Sequence, residues 1–485
     1  MTDTQPIAEG DWLAPVYAPQ EHAAASALVH IPGSKSLTNR YLLLAALADS
    51  PSLLRSPLHS RDSALMIEAL RALGAVIEEV PGASPFGPDL RVIPCDFSST
   101  ELRKARIETG LAGTVMRFVP ALAALLPGTF EFDGDEHAYA RPMGALLDGL
   151  RQLGVSFSPA DASSLPFEMV SAGLAVQSAD EPALVRIDAS ASSQFVSALL
   201  LAAPRLPQGI VLEHVGSSVP SIPHIEMSVE ALRELGVRVE STIDREAGVF
   251  SWRVFPGAFS GFEKTIEPDL SNAGPFVAAA MVTGTSVSVA DWPAPAADGS
   301  AGTTQVGDHW RQLLPLLGGK VSFAPDSADS SIGVLTVTGP ADITAVPGID
   351  VDVRAAGELA PTLAAICSLA ASGSQLRGIE HLRGHETDRL AALTAEINRL
   401  GGSAEETEDG IRILSGIPTG QAERVLARTY ADHRMATFAA IIGLRRTNTV
   451  VENVATTSKT IPDFTGLWQA LLDQLQHTST TKDEA

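Results

Sequence analysis

The chain has 485 residues, 45% hydrophobic and 19% charged, an ordinary globular balance at a length beyond the roughly 250–300 residues that one core serves, so two domains are expected. A net charge of −23 excludes nucleic acid and anionic membranes as main partners, because both call for a basic surface. No apolar run approaches the ~18 residues of a membrane span and the first basic residue is Lys35, unlike the charged start of a signal peptide; a cytoplasmic protein, an enzyme by default, is expected.

Along the chain, helical patterns that end in Leu-Gly recur: MIEALRALG (to Gly74), LLDGLRQLG (to Gly154), SVEALRELG (to Gly236), WRQLLPLLG (to Gly318) and LTAEINRLG (to Gly401), spaced by 80, 82, 82 and 83 residues. Each reads as an amphipathic helix closed by a glycine and followed by a strand-like stretch such as AVIEEV or VRVES. LWQALLDQL falls where the period places a sixth. Between them lies a second kind of helix: LTNRYLLLAALA, GTVMRFVPALAALL, SSQFVSALLLAA, LSNAGPFVAAAMV, LAPTLAAICSLAA and MATFAAIIGL. These are apolar nearly all round, which predicts burial.

The pattern gives six units of one buried helix, one surface helix and several short strands. Solenoid units mostly run 20–50 residues. Units of about 80 predict small α/β subdomains, three to a domain, with a linker near Gly261–Glu267. Met1–Gln20 has no strong periodicity, and the polar tail His477–Ala485 is expected to lack structure.

Small polar or charged residues precede each buried helix: Gly33-Ser34-Lys35-Ser36, Gly110-Leu111-Ala112-Gly113-Thr114, Ser190-Ala191-Ser192-Ser193-Gln194, Asp269-Leu270-Ser271-Asn272, Gly357-Glu358 and Asp432-His433-Arg434. One reading makes them caps for the first N–H groups of buried helices. The other points several N-termini into one cleft, where their dipoles and free donors hold anions inside an acidic molecule. Arg40 and Arg117, near the starts of apolar helices, are expected to be paired or to face a site, unless they reach solvent.

The Gly33–Ser36 string lacks the glycine spacing of a phosphate loop. His381 and His385 are four apart, but Gly384 stands between them and the HExxH order is absent, so a metal site is not expected. Glu386 and Arg389, three apart, would pair on a helix surface. Two cysteines without a CxxC give no disulfide or zinc framework.

Val29–Arg40 (VHIPGSKSLTNR) resembles the N-terminal signature of EPSP synthases, and Gly110–Arg117 (GLAGTVMR) is similar to their second signature. Arg141-Pro142, Ser192-Ser193-Gln194, Glu386-Thr387-Asp388-Arg389, Asp432-His433-Arg434 and Thr457–Pro462 (TSKTIP) follow in family order. The resemblance runs from about Pro15 to Leu475. It implies the α/β enolpyruvyl transferase fold: two domains, each of three repeated subdomains with buried parallel helices, and the active site in the interdomain cleft. One domain spans 34–266 and the other combines 1–33 with 267–485.

The implied reaction moves the enolpyruvyl group of phosphoenolpyruvate to the 5-hydroxyl of 3-phosphoshikimate through a tetrahedral adduct, releases phosphate and uses no cofactor. Lys35, Arg141, Arg389, Arg434 and Lys459, with the Gly113 backbone, look like the phosphoenolpyruvate set. Planar guanidinium forks suit carboxylate and phosphate. Ser36, Arg40, Ser192, Ser193, Gln194 and Ser221 look like the 3-phosphoshikimate set, Glu386 matches the proton donor, and Glu358 matches the proton acceptor. Glu358 stands where aspartate is usual, Leu111 where asparagine is common, and His385 where a lysine contacts 3-phosphoshikimate. These departures resemble actinobacterial members. His385 is expected to lose its charge above pH ~6.5.

A monomer is expected, with domains that close on 3-phosphoshikimate because split basic groups repel until an anion arrives. By resemblance, glyphosate competes with phosphoenolpyruvate, and Gly113 suggests sensitivity. The nearest rival is the sister transferase acting on UDP-N-acetylglucosamine, which commonly uses a loop cysteine of lowered pKa. Cys95 lies in a poorly patterned stretch and Cys367 in a buried helix. A non-catalytic anion-binding protein is the other rival, and binding phosphates does not call for Glu358 and Glu386.

Overall fold

Gly74, Gly154, Gly236, Gly318 and Gly401 all take positive φ, between 81° and 104°. A residue without Cβ adopts that left-handed turn at little cost and so ends a helix there. The computed structural model describes residues 7–18, 25–176, 180–216, 219, 221–244, 247–296 and 298–477. The polar tail beyond residue 477 lies outside the described residues.

Among those residues the two kinds of helix alternate. They are Lys35–Leu47 (α1), Arg61–Ala72 (α2), Gly113–Ala123 (α3), Gly144–Gln152 (α4), Gln194–Ala202 (α5) and Ile222–Glu234 (α6). Then come Gly274–Thr283 (α7), Trp310–Leu316 (α8), Ala360–Cys367 (α9), Arg389–Arg399 (α10), His433–Gly443 (α11) and Phe464–His477 (α12). The odd-numbered helices are buried almost throughout, as their apolar circumference dictates. Helices α2, α4, α6 and α10 bury one face only. Helix α7 starts at Gly274, four residues into its apolar run, because Pro275 fits the first turn of a helix.

The chain divides into two units, Gly33–Ile266 and Met1–Pro32 with Glu267–Ala485. Each contains three sheets of one design: a parallel edge pair, then antiparallel strands. In the unit Gly33–Ile266, Arg103–Glu108 runs parallel to Pro127–Asp133, which pairs antiparallel with Phe167–Ala172, itself antiparallel to Ser156–Ser158. Ala183–Ile187 begins the next sheet in the same way beside Ile210–His214. The intervening buried helix makes the parallel return possible. In the first sheet of this unit the parallel edge comes from the far end of its sequence, where Glu263–Thr265 lies along Ser52–Arg55. The stretch read as a linker is therefore partly a strand.

In the other unit the same exchange occurs in reverse. Ser26–Val29 pairs parallel with Ser286–Pro293, and Trp12–Leu13 pairs antiparallel with Thr449–Val451. The N-terminal segment, aperiodic in sequence, thus supplies strands to two sheets. The buried helices and the inner faces of the sheets form one apolar core in each unit.

Candidate active site

In the unit Gly33–Ile266 the starts of α1, α3 and α5 carry most of the expected ligands. Ser34 caps α1, its hydroxyl accepting from Leu37 N at 3.4 Å. The starts of α3 and α5 have no side-chain cap of that kind. Asn39 of α1 donates to Thr114 Oγ1 of α3 at 2.6 Å, which ties the two starts together. Lys35 Nζ lies 3.6 Å from Asp62 Oδ2 on α2.

Around Gly113 the crowding is specific. A Cβ there would stand 3.0 Å from Arg141 Nη2, 3.2 Å from Arg117 Nη1 and 3.2 Å from Gln194 Oε1. Arg117 Nη1 donates to Gln194 Oε1 at 2.7 Å, and Arg141 Nη1 donates to Leu111 O at 3.0 Å. Gly113, Arg141 and Gln194 are thus brought together. Beside them is a cavity of about 630 Å³ lined by Arg141, Ser190, Ala191, Asp188 and Phe195 among others. Ser192 Oγ accepts from Gln194 N at 3.3 Å, and Ser193, buried, precedes α5. Ser221 holds a left-handed conformation at the start of α6, φ +52°.

Arg40 is paired, as a buried guanidinium has to be. Its Nε donates to Ser228 Oγ at 2.8 Å, Nη1 to Ser36 O at 2.9 Å and Nη2 to His224 O at 2.9 Å. Its guanidinium also sits 5.3 Å from the Phe118 ring centroid, a distance at which the ring attracts a cation. Arg117 stands 5.4 Å from the Phe195 ring.

In the other unit the ionisable residues form one network. Arg389, at the start of α10, donates from Nε to Asp432 Oδ2 at 2.7 Å and from Nη2 to Asp432 Oδ1 at 3.2 Å. Nη2 also donates to Glu386 Oε2 at 3.0 Å. Nη1 lies 3.2 Å from His385 Nδ1. Lys459 Nζ donates to Glu386 Oε1 at 2.6 Å, and Arg434 Nη2 donates to Glu358 Oε2 at 3.2 Å. Three basic side chains therefore pair with three acidic ones. Burial works against the charge of Arg389, but Asp432 and Glu386 outweigh it, so the guanidinium holds its proton above the usual arginine range.

Glu386 and Arg389 do pair, but not on a helix surface: α10 begins at Arg389, which is 2% exposed. Glu386 is 10% exposed in the loop before it. His385 has its pKa pulled well below the ordinary histidine value, by burial first and by Arg389 second, against the opposing pull of Glu386. Asp432 caps α11, accepting from Arg434 N at 2.8 Å, while its other role, as partner of Arg389, was not expected from the sequence. The acid that precedes a buried helix signalled a cap; nothing in the sequence signalled a partner 43 positions away. Asp62 beside Lys35 was likewise missed.

The profile of the EPSP synthase family, described as 3-phosphoshikimate 1-carboxyvinyltransferase, matches residues 19–468. The chain belongs to the EPSP synthase family. A curated member, the 3-phosphoshikimate 1-carboxyvinyltransferase of Kocuria rhizophila, is 52% identical over 457 residues, covering 94% of this chain and 96% of the relative. An EPSP synthase structure from Acinetobacter baumannii aligns with a TM-score of 0.71 at 20% identity, over 95% of this chain and 97% of that one. The enolpyruvyl transferase NikO of Streptomyces tendae aligns with a TM-score of 0.65 at 16% identity, over 95% and 96%. At those identities the two structures share the fold, the α/β enolpyruvyl transferase architecture that the resemblance implied and with which the repeats agree.

Proposed function

We propose that this chain transfers the enolpyruvyl group of phosphoenolpyruvate to the 5-hydroxyl of 3-phosphoshikimate and releases phosphate. The 52% identity to the Kocuria enzyme across 94% of the chain carries that reading. Glu358 takes the proton of the attacking hydroxyl. Glu386 delivers one to the methylene carbon, giving a tetrahedral adduct. Loss of a proton from the same carbon and departure of phosphate then complete the transfer.

The ion pairs of Glu386 support its role. Lys459 and Arg389 each donate to one of its two oxygens. A trianionic substrate competes for both cations, and each cation it draws leaves Glu386 less positive surroundings, which favours the protonated acid. Lys35, Gly113, Arg141, Arg389, Arg434 and Lys459 are assigned to phosphoenolpyruvate. Ser36, Arg40, Ser192, Ser193, Gln194, Ser221 and His385 are assigned to 3-phosphoshikimate. The unit Gly33–Ile266 is the 3-phosphoshikimate side, and the other unit the proton-transfer side. No helix of the described residues is long and apolar enough to cross a membrane; that the protein is a cytoplasmic monomer is a proposal from the family resemblance.

The sister reaction on UDP-N-acetylglucosamine is less well supported. Burial pushes the thiols of Cys95 and Cys367 up to about 12, opposite to an activated cysteine. Phosphate release from phosphoenolpyruvate, measured with each acceptor in turn, tests the assignment. Release with 3-phosphoshikimate alone is expected; release with the nucleotide sugar alone refutes it.

A further inference from the structure

Arginine has only donors. At 3.2 Å from Arg389 Nη1, His385 Nδ1 is therefore the acceptor, and the imidazole is neutral with its proton on Nε2. Asp432 engages Nε and Nη2 of the same guanidinium, and Glu386 engages Nη2. Those anchors grip one edge of the planar group. His385 grips the opposite edge at Nη1, so the fork is held from both sides and is kept from rocking about the carboxylates.

We propose that His385 is a positioning residue for Arg389: through Nδ1 its neutral ring steadies the orientation in which Arg389 meets phosphoenolpyruvate. This rests on the reaction proposed above and adds to it, because the position was otherwise assigned to 3-phosphoshikimate. The role depends on protonation. A protonated ring cannot accept from Arg389, and its Nδ1, 4.0 Å from Glu386 Oε2, would turn its proton to that carboxylate in competition with Arg389 and Lys459. The other groups around the ring are His381, with ring centroids 6.0 Å apart, and Glu358, itself paired with Arg434. Asp432 acts on the ring through Arg389.

The test is steady-state phosphate release by wild type, His385→Leu and His385→Asn, with each substrate varied separately between pH 5 and 8. Leucine removes the acceptor; asparagine supplies an amide oxygen close to where Nδ1 lies but does not titrate. His385→Leu should raise KM for phosphoenolpyruvate about tenfold, the scale of a lost hydrogen bond to a charged group, and should raise it by a larger factor than KM for 3-phosphoshikimate. His385→Asn should recover the first value to within about threefold of wild type. The ratio of wild-type KM for phosphoenolpyruvate to that of His385→Asn should stay level from pH 8 to 6.5, where the ring is neutral, and climb only toward the acid end, a comparison that cancels the titration of the substrate phosphate.

A KM rise confined to 3-phosphoshikimate, or a ratio that changes between pH 8 and 6.5, overturns the positioning role. So does a folded His385→Asn no better than a folded His385→Leu. Circular dichroism checks the fold, and if His385→Leu does not fold the pH ratio decides alone. Wild type that releases no phosphate from this substrate pair refutes the proposed reaction and the role with it. Wild type that turns over while the variants depart from expectation refutes the role only.

Discussion

Arg389 and Asp432 face each other at 2.7 Å with side chains 2% and 0% exposed, so a full ion pair is held away from water. Removing one member of such a pair leaves an uncompensated buried charge, at a cost of about 3–5 kcal/mol. Asp432→Asn keeps an oxygen to cap α11 but loses the charge, so it should destabilise by roughly 3 kcal/mol. Asp432→Ala loses the cap as well and should cost about 1 kcal/mol more. Urea unfolding followed by tryptophan fluorescence measures both, and equal stability of wild type and Asp432→Asn would contradict the pairing.

Glu386→Gln keeps an acceptor for one of its two cations, Lys459 or Arg389, but cannot deliver a proton. Turnover should fall about 10²–10⁴-fold, the usual contribution of a positioned acid. Phosphate release at saturating substrates checks this, and an unchanged kcat would move the acid elsewhere.

Both cysteines are buried, with thiols pushed up to about 12. The thiolate is the reactive form. Native protein should therefore not react with a disulfide reagent on the time scale in which protein in denaturant yields two thiols, and its activity should survive the treatment. Rapid loss of activity with one equivalent consumed would favour the cysteine-using sister chemistry.

Histidines link stability to pH in a definite direction. Burial lowers the pKa of His214, and burial with Arg389 lowers that of His385 well below 6.5. In the unfolded chain both bind protons near pH ~6.5. Below that pH the unfolded state takes up protons that the folded state does not, so stability is full above about pH 6.5 and declines as pH falls toward the folded values. Urea midpoints between pH 7.5 and 5 should show the decline, and the double variant His214→Asn, His385→Asn should flatten it. An undiminished slope in that variant assigns the decline to carboxylates.

Much of the architecture was legible because it rests on local rules. Gly74 and its four counterparts mark helix ends through a backbone conformation that needs no Cβ, and apolar circumference marks α1, α3, α5, α7, α9 and α11 as buried. The family motifs named Glu358, Glu386 and the basic residues. Hydrogen-bond partnership was not legible. Arg40 meets Ser228 across 188 positions and Arg389 meets Asp432 across 43, and no periodicity encodes such distances. Trp12–Leu13 was missed for a similar reason: two residues show no alternation, and their partner strand is Thr449–Val451.

The pairing of the first strands with late ones governs the order in which this protein can be completed. Leu28 N bonds to Gln474 Oε1 across 446 positions, so Ser26–Val29 leaves the ribosome long before Ser286–Pro293 and α12 exist to receive it. The stretch Gly33–Ile266 carries all its own strands and can mature midway through synthesis. The surrounding unit cannot, and a chain stopped before Thr449 would leave Trp12–Leu13 and Val425–Ala427 without the strand that joins them, unpaired backbone of the kind that seeks a second chain.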